Sequence, residues 1–219
     1  MKTFKDWTGN LKFRSFPFRT FCALHFSLCA LLVAGCFDEP VSADKTVPEG
    51  ARVYLASKGL KDLSDQADAF KLGDRIDYVN LDRNRLETFP AELASLTGLK
   101  WLRLNDNRLS ALPDLSALKS LRRIYLRGNK FECVPETLKD LPSLTDVDLS
   151  SNPIKEIPAW LAEKKGLKAL SFSRTLVEKL PDDLSAWTSL HQLQLGDLKL
   201  SREEMARIRK ALPSTAVVF

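Results

Sequence analysis

Histidine is the scarcest reactive side chain here, with His25 and His191 the only two in 219 residues. A Ser-His-Asp or Cys-His device would have to be built on one of them. His25 lies in an apolar N-terminal run, and His191 sits among Leu190, Gln192 and Gln194. Cysteine is almost as rare, at positions 22, 29, 36 and 133. The histidines and cysteines are too few for a zinc-ligand spacing, and no glycine-rich phosphate loop occurs. No enzymatic activity, cofactor, metal or small-molecule substrate is therefore expected. Charge of one sign is also nearly absent. The formal net charge is +5, but residues 1–35 hold Lys2, Lys5, Lys12, Arg14 and Arg19 against Asp6 and account for +4 of it. The remainder is almost neutral, so nucleic acid is not expected as a partner on bulk charge. The apolar run from Phe21 to Gly35 is 15 residues long, short of the about 20 that an ordinary membrane span needs.

What the chain has in quantity is leucine at fixed offsets. From Ile76 onward one pattern, L-x-x-L-x-L-x-x-N-x-L-x-x-L-P, recurs every 22 or 23 residues. One copy reads Leu99, Leu102, Leu104, Asn107, Leu109, Leu112, Pro113. It is preceded by Ile76, Val79, Leu81, Asn84, Leu86, Phe89, Pro90 and followed by Leu121, Ile124, Leu126, Asn129, Phe131, Val134, Pro135. A fourth runs Leu144, Val147, Leu149, Asn152, Ile154, Ile157, Pro158. The period resembles the leucine-rich repeat family. The resemblance implies an α/β class solenoid, a horseshoe with a parallel concave β-sheet and short helical or irregular convex segments.

The alternation x-x-L-x-L predicts a strand in each unit, with Leu102 and Leu104 turned to the core and Trp101, Arg103 and Asn105 turned outward. Successive strands stack at about 4.8 Å, because each unit can bury its leucines only against its neighbours. The column Asn84, Asn107, Asn129, Asn152 falls where the chain leaves the strand, and its amides are expected to satisfy buried backbone groups there. The pattern decays towards the C-terminus. Thr175 replaces the asparagine in the fifth repeat unit, Leu198 in the sixth. Ser201 with Glu204 predicts a capping box opening a final helix, and Val217-Val218-Phe219 a last strand, so that helix and strand together cap the stack. Val53, Leu55, Leu60 and Leu63 fit a degenerate first unit, with Lys58 in the asparagine place and a short helix from Asp65 to Leu72.

The N-terminal segment divides from this array. Its basic stretch, apolar run and terminal Val33-Ala34-Gly35-Cys36 resemble the signal peptide and lipobox of bacterial lipoproteins. The resemblance implies cleavage before Cys36, a diacylglyceryl thioether on its sulfur and fatty-acyl chains such as palmitate. Two or more chains make such anchoring stable. The protein is then expected in the cell envelope, on the outer membrane rather than the inner, because Phe37 and not an aspartate follows the cysteine. With Cys22 and Cys29 removed and Cys36 acylated, only Cys133 remains, expected as a small packing residue. The expected organisation is 1–35 signal peptide, 36–50 lipidated cysteine and flexible tether, 51–75 degenerate N-terminal repeat, 76–189 five repeats, and 190–219 sixth repeat and cap. The tether has an r.m.s. span of about 20 Å.

Family members commonly bind proteins on the concave sheet. Outward positions there include Tyr54, Tyr78, Trp101, Arg103, Arg123, Tyr125 and Arg127, residue types common in binding hot spots. Trp160 and Trp187 fall on the convex side, and Trp187 occupies a leucine position. The competing expectation is mutual decoration: Trp101 with Arg123, Arg123 with Asp146, and Tyr125 with Arg103 can pair across the ladder. Asp146 and Asp148 are expected as solvated ladder charges. Three roles follow: a lipid-anchored binder of another protein (scaffold, adhesin or inhibitor), a glycan- or cell-wall-contacting module whose aromatics stack on sugars, or a secreted effector-like protein.

Overall fold

The computed structural model describes residues 50–219. The signal segment, the lipobox with Cys36 and most of the tether lie outside the described residues. Eight short strands form one parallel sheet in sequence order. They are β1 (Ala51–Tyr54), β2 (Ile76–Asn80), β3 (Trp101–Arg103), β4 (Arg123–Tyr125), β5 (Asp146–Asp148), β6 (Ala169–Ser171), β7 (Gln192–Gln194) and β8 (Ala216–Val218). The pairing is in line from β2 onward: Tyr78, Trp101, Arg123, Asp146, Ala169, Gln192 and Ala216 stand side by side.

From β3 onward each strand has three residues, because only that much of each unit alternates. The inward leucines, such as Leu102, Leu104, Ile124 and Leu126, are fully buried. Burial of each such side chain contributes about 1.5–3 kcal/mol. On the return path proline sets where the helical turns begin. Pro90 precedes α1 (Ala91–Ala94), Pro158 precedes α2 (Ala159–Glu163), and Pro135 precedes a 3-10 turn over Glu136–Leu138. Proline suits that place because the first helical N–H groups have no partner to lose. Gly98 is dictated by space: a side chain there would overlap the carbonyl oxygen of Asp74 in the preceding unit.

The turn off each strand is left-handed. Ser57, Arg83, Asp106, Gly128, Ser151, Arg174 and Asp197 all have φ between 54° and 67°, and in four units the next residue is the ladder asparagine. Each asparagine amide bridges two units. Asn129 Nδ2 donates to the carbonyls of Leu104 and Leu126, both at 2.9 Å, and its Oδ1 accepts from the Leu109 N–H at 3.0 Å. Asn84, Asn107 and Asn152 repeat this with their own neighbours. Thr175 donates to the Phe172 carbonyl alone.

Two details at Lys164 and Trp187 extend the sequence reading, and two at Glu204 and Cys133 depart from it. Lys164 stands in the column of Leu96, Leu118, Leu141 and Trp187, and its ammonium donates to the carbonyls of Lys139 and Leu141 at 2.9 and 2.8 Å. Burial pulls its pKa down. Trp187, fully buried, fills the next place in that column and donates from Nε1 to the Leu161 carbonyl at 2.9 Å. The predicted capping box of α3 (Arg202–Ala211) is only half made: Ser201 Oγ accepts from the Glu204 N–H. The Glu204 carboxylate turns instead to the Leu180 N–H at 2.9 Å and to Arg207, whose guanidinium reaches the carbonyls of Leu180, Pro181 and Asp182. The cap is thus tied to the fifth repeat by a partly buried pair rather than closed on itself. Finally, Cys133 is exposed and free, not packed. Among the described residues no helix is long and apolar enough to cross a membrane.

The Ile154 N–H, in the position that an asparagine serves one unit earlier, has no acceptor among the described residues, because Thr175 is too short to offer one. Thr175→Asn is expected to supply it and raise stability by about 1 kcal/mol, whereas Asn129→Ala leaves several backbone groups unpaired and costs about 2–4 kcal/mol. Urea unfolding midpoints check both. A neutral Asn129→Ala would show that the ladder does not hold the units together.

Candidate functional site

The outward face of β1–β5 is built by the period-two alternation alone, and its side chains interlock across the strands. Tyr54 and Tyr78, diagonal neighbours on β1 and β2, have rings 5.2 Å apart at 42°, and along one row Tyr78 meets Trp101 edge-on at 6.0 Å and 61°. The Arg123 guanidinium then covers the other side of Trp101, 4.3 Å from the ring centroid. Arg123 is itself held by Asp146, Nε to Oδ2 at 3.6 Å. In the next row Arg103 sits 5.6 Å from the Tyr125 ring and donates from Nε to Asp82 Oδ2 at 2.7 Å. Asp82 Oδ1 accepts from the Asn105 N–H. Each expected site residue is thus on one face. Tyr54, Tyr78, Trp101 and Arg123 form one connected line, and Arg103 with Tyr125 a second beside it. Arg127 lies two residues beyond the end of β4 and joins them only through its backbone, which donates to Asn105 Oδ1. The ladder asparagines 84, 107, 129 and 152 are buried behind the face and touch none of its solvent side.

Asp146 is not the solvated charge the sequence suggested, Asp148 is only partly exposed, and Asp82 is buried beside Arg103. Asp146 is 4% exposed and Asp82 8%. Large neighbours cover them, so their charges are neutralised in place rather than by water. Asp82 offsets the burial that pulls Arg103 down and leaves its guanidinium above its ordinary value. Burial pushes the Tyr125 phenol up to about 12, so it stays neutral. Burial also raises Asp148, opposed by hydrogen bonds from Ser150 and by the charges of Arg127 and Arg103. The sequence reading found the face but missed this burial; the register of Arg123 opposite Asp146 was the available signal. Beyond β5 the outward residues are uncharged and mostly small: Ala169, Ser171, Ser173, Gln192, Gln194 and Gly196. The arrangement offers ring edges, a phenol, fixed guanidiniums and no nucleophile–base pair. It is equipped to bind.

Residues 98–154 match the family model described as leucine-rich repeat. Over 114 residues the chain is 29% identical to the flightless-1 homolog of Caenorhabditis elegans, covering 50% of this chain and 9% of that protein. A solved leucine-rich repeat protein of Leptospira interrogans superposes with a TM-score of 0.60 at 29% identity, over 67% of this chain and 43% of that one. An internalin of Listeria monocytogenes shares the fold, with a TM-score of 0.52 at 19% identity over 68% of this chain and 49% of that one. The chain therefore spans under half the length of these relatives. Its fold is a leucine-rich repeat solenoid, an architecture that typically serves as a non-enzymatic protein-interaction scaffold.

An acid raised by burial penalises the folded state at neutral pH, and the penalty disappears once both states are protonated. Asp148→Asn keeps the acceptor for Ser150 and is expected to raise the melting temperature at pH 7. The gain should fade as pH falls through the interval just above the ordinary carboxylate value of about 3.9. Melting curves across that range check it, and a lower melting temperature at pH 7 would mean that the carboxylate stabilises the fold.

Proposed function

We propose that this protein is a recognition module, held to a bacterial cell envelope through acylated Cys36, that captures another protein on the outward face of β1–β4. The observation that carries this reading is the closed state of the aromatic row. Stacking on a sugar needs an open ring face. Trp101 has Tyr78 against one side and Arg123 over the other, and Arg123 is fastened by Asp146. What points outward is therefore ring edges, hydroxyls and guanidiniums, which suit the carbonyl and side-chain acceptors of a protein better than pyranose rings. Only Tyr54, 58% exposed, keeps a broad free surface. The face is fixed before binding, so little side-chain entropy remains to be lost when a partner docks. Its role as scaffold, adhesin or inhibitor follows from that partner. The lipobox supports attachment through Cys36, with the outer membrane favoured, and the short tether keeps the solenoid near the lipid surface.

Two outcomes test the reading. Tyr54→Ala and Trp101→Ala are expected to weaken capture of the envelope partner by about tenfold or more. Tyr54→Ala should leave stability within about 0.5 kcal/mol. Calorimetric titration and melting, run together, decide it. A melting loss with unchanged affinity would reduce the row to mutual decoration, and binding to a glycan array with no protein captured would favour the cell-wall role. Cys36→Ser is expected to move the protein from the sedimented membranes to the soluble fraction. Continued sedimentation would remove the lipid anchor.

A further inference from the structure

We propose that the partner contributes an acidic side chain, an aspartate or glutamate, that docks on Arg127 within a basic band formed by the third and fourth units; this rests on the concave-face reading above. Charge is not spread evenly along the solenoid. Residues 101–135 carry seven basic and three acidic side chains, whereas residues 51–100 carry eight of each and 136–219 twelve of each. Most of the band's outward and flanking arginines are already neutralised. Arg103 is taken by Asp82 at 2.7 Å, Arg108 by Glu87 at 3.3 Å, and Arg123 by Asp146 at 3.6 Å.

Arg127 and Arg122 are the exceptions, and of the two Arg122 is exposed and Arg127 partly covered. Among the described residues the Arg127 guanidinium makes no hydrogen bond and no ion pair. Asp148 feels it only through space, while Asp148 Oδ1 is occupied by the Ser150 N–H and hydroxyl. A partly desolvated guanidinium with five unused donors is matched by a carboxylate, which accepts two of them side by side. Its backbone is rigid: the Arg127 N–H donates to Asn105 Oδ1 at 3.0 Å and its carbonyl accepts from the Asp106 N–H at 2.7 Å. Arg127 lies in the turn just past β4, and these two bonds hold its backbone in place for an arriving carboxylate. A basic segment meets repulsion at the same place. A nucleic acid finds the phosphate-matching charge but only the Tyr54 ring as a broad stacking surface.

The test selects from a displayed library of random peptides on the full chain in detergent micelles, then titrates the winners. The expected winners are richer in Asp and Glu than the starting pool and bind less tightly as salt rises. Arg127→Glu is expected to weaken them by about tenfold or more, Arg127→Lys to weaken them less, and Lys165→Glu, the same charge change on the convex side, to leave them unchanged. Arg127→Glu is expected to lower the melting temperature only modestly, because the guanidinium offsets the Asp148 charge through space and makes no contact of its own, and melting curves check that the variant is folded at the titration temperature. Neutral or basic winners, acidic winners indifferent to Arg127→Glu, or a single-stranded oligonucleotide bound with the same dependence on Arg127 would overturn the proposal. Winners that respond to Trp101→Ala but not to Arg127→Glu sink the acidic contact and leave the concave-face reading standing. Winners indifferent to both sink the two together.

Discussion

Each unit of this solenoid is too small to bury its own leucines, and everything else follows from that. The apolar stripe of one unit finds cover only on the units before and after it, so the strands must stack in parallel and in line. The asparagine column then makes the stacking specific. By donating to carbonyls in two units and accepting from a third backbone group, Asn107, Asn129 and Asn152 fix each turn against its neighbour. With the inner face given wholly to leucine and the turns to asparagine, the outward positions of the strands carry no duty to the core.

Those outward positions are not left loose. Tyr54, Tyr78, Trp101, Arg123 and Asp146 run in one connected line, and Arg103 joins Tyr125 to Asp82. Each contact is individually small, about 0.5–1.5 kcal/mol for aromatic and cation–π pairs. Their joint effect is to hold large side chains in one arrangement before anything arrives. Mutual pairing and recognition are therefore complementary here: the pairs that neutralise the face also shape it. The convex side is occupied differently, by prolines that start the helical turns and by Lys164, Trp187 and the Glu204–Arg207 pair that close its carbonyls.

Much of this was legible in the sequence, because the two signals that build the solenoid are periodic. Leucine at 22- or 23-residue spacing gave the fold, and alternation within x-x-L-x-L gave the outward residues. What escaped was set by three-dimensional neighbours. Asp146 reads as a surface charge until the bulk of Arg123 and Tyr125 is placed over it. Lys164 reads as an exposed lysine, although counting 23 residues from Leu141 puts it in a core column whose carbonyls need a donor. Glu204 obeys the capping-box spacing, yet the Leu180 N–H and Arg207 compete for its carboxylate and win. Cys133 looked like packing because Val134 beside it is buried; the chain turns between them.

The most direct measurement of the central claim is a scan in which a photoreactive residue replaces, one at a time, outward positions such as Asn80 and Asn105 and convex positions such as Lys139 and Glu163 in the membrane-bound protein. The account predicts covalent capture of one protein partner from the outward set across β2–β4 and none from the convex set. Capture from Lys139 or Glu163 with silence at Asn80 and Asn105 would contradict it, since the face freed by the leucine stack would then not be the one that touches a partner.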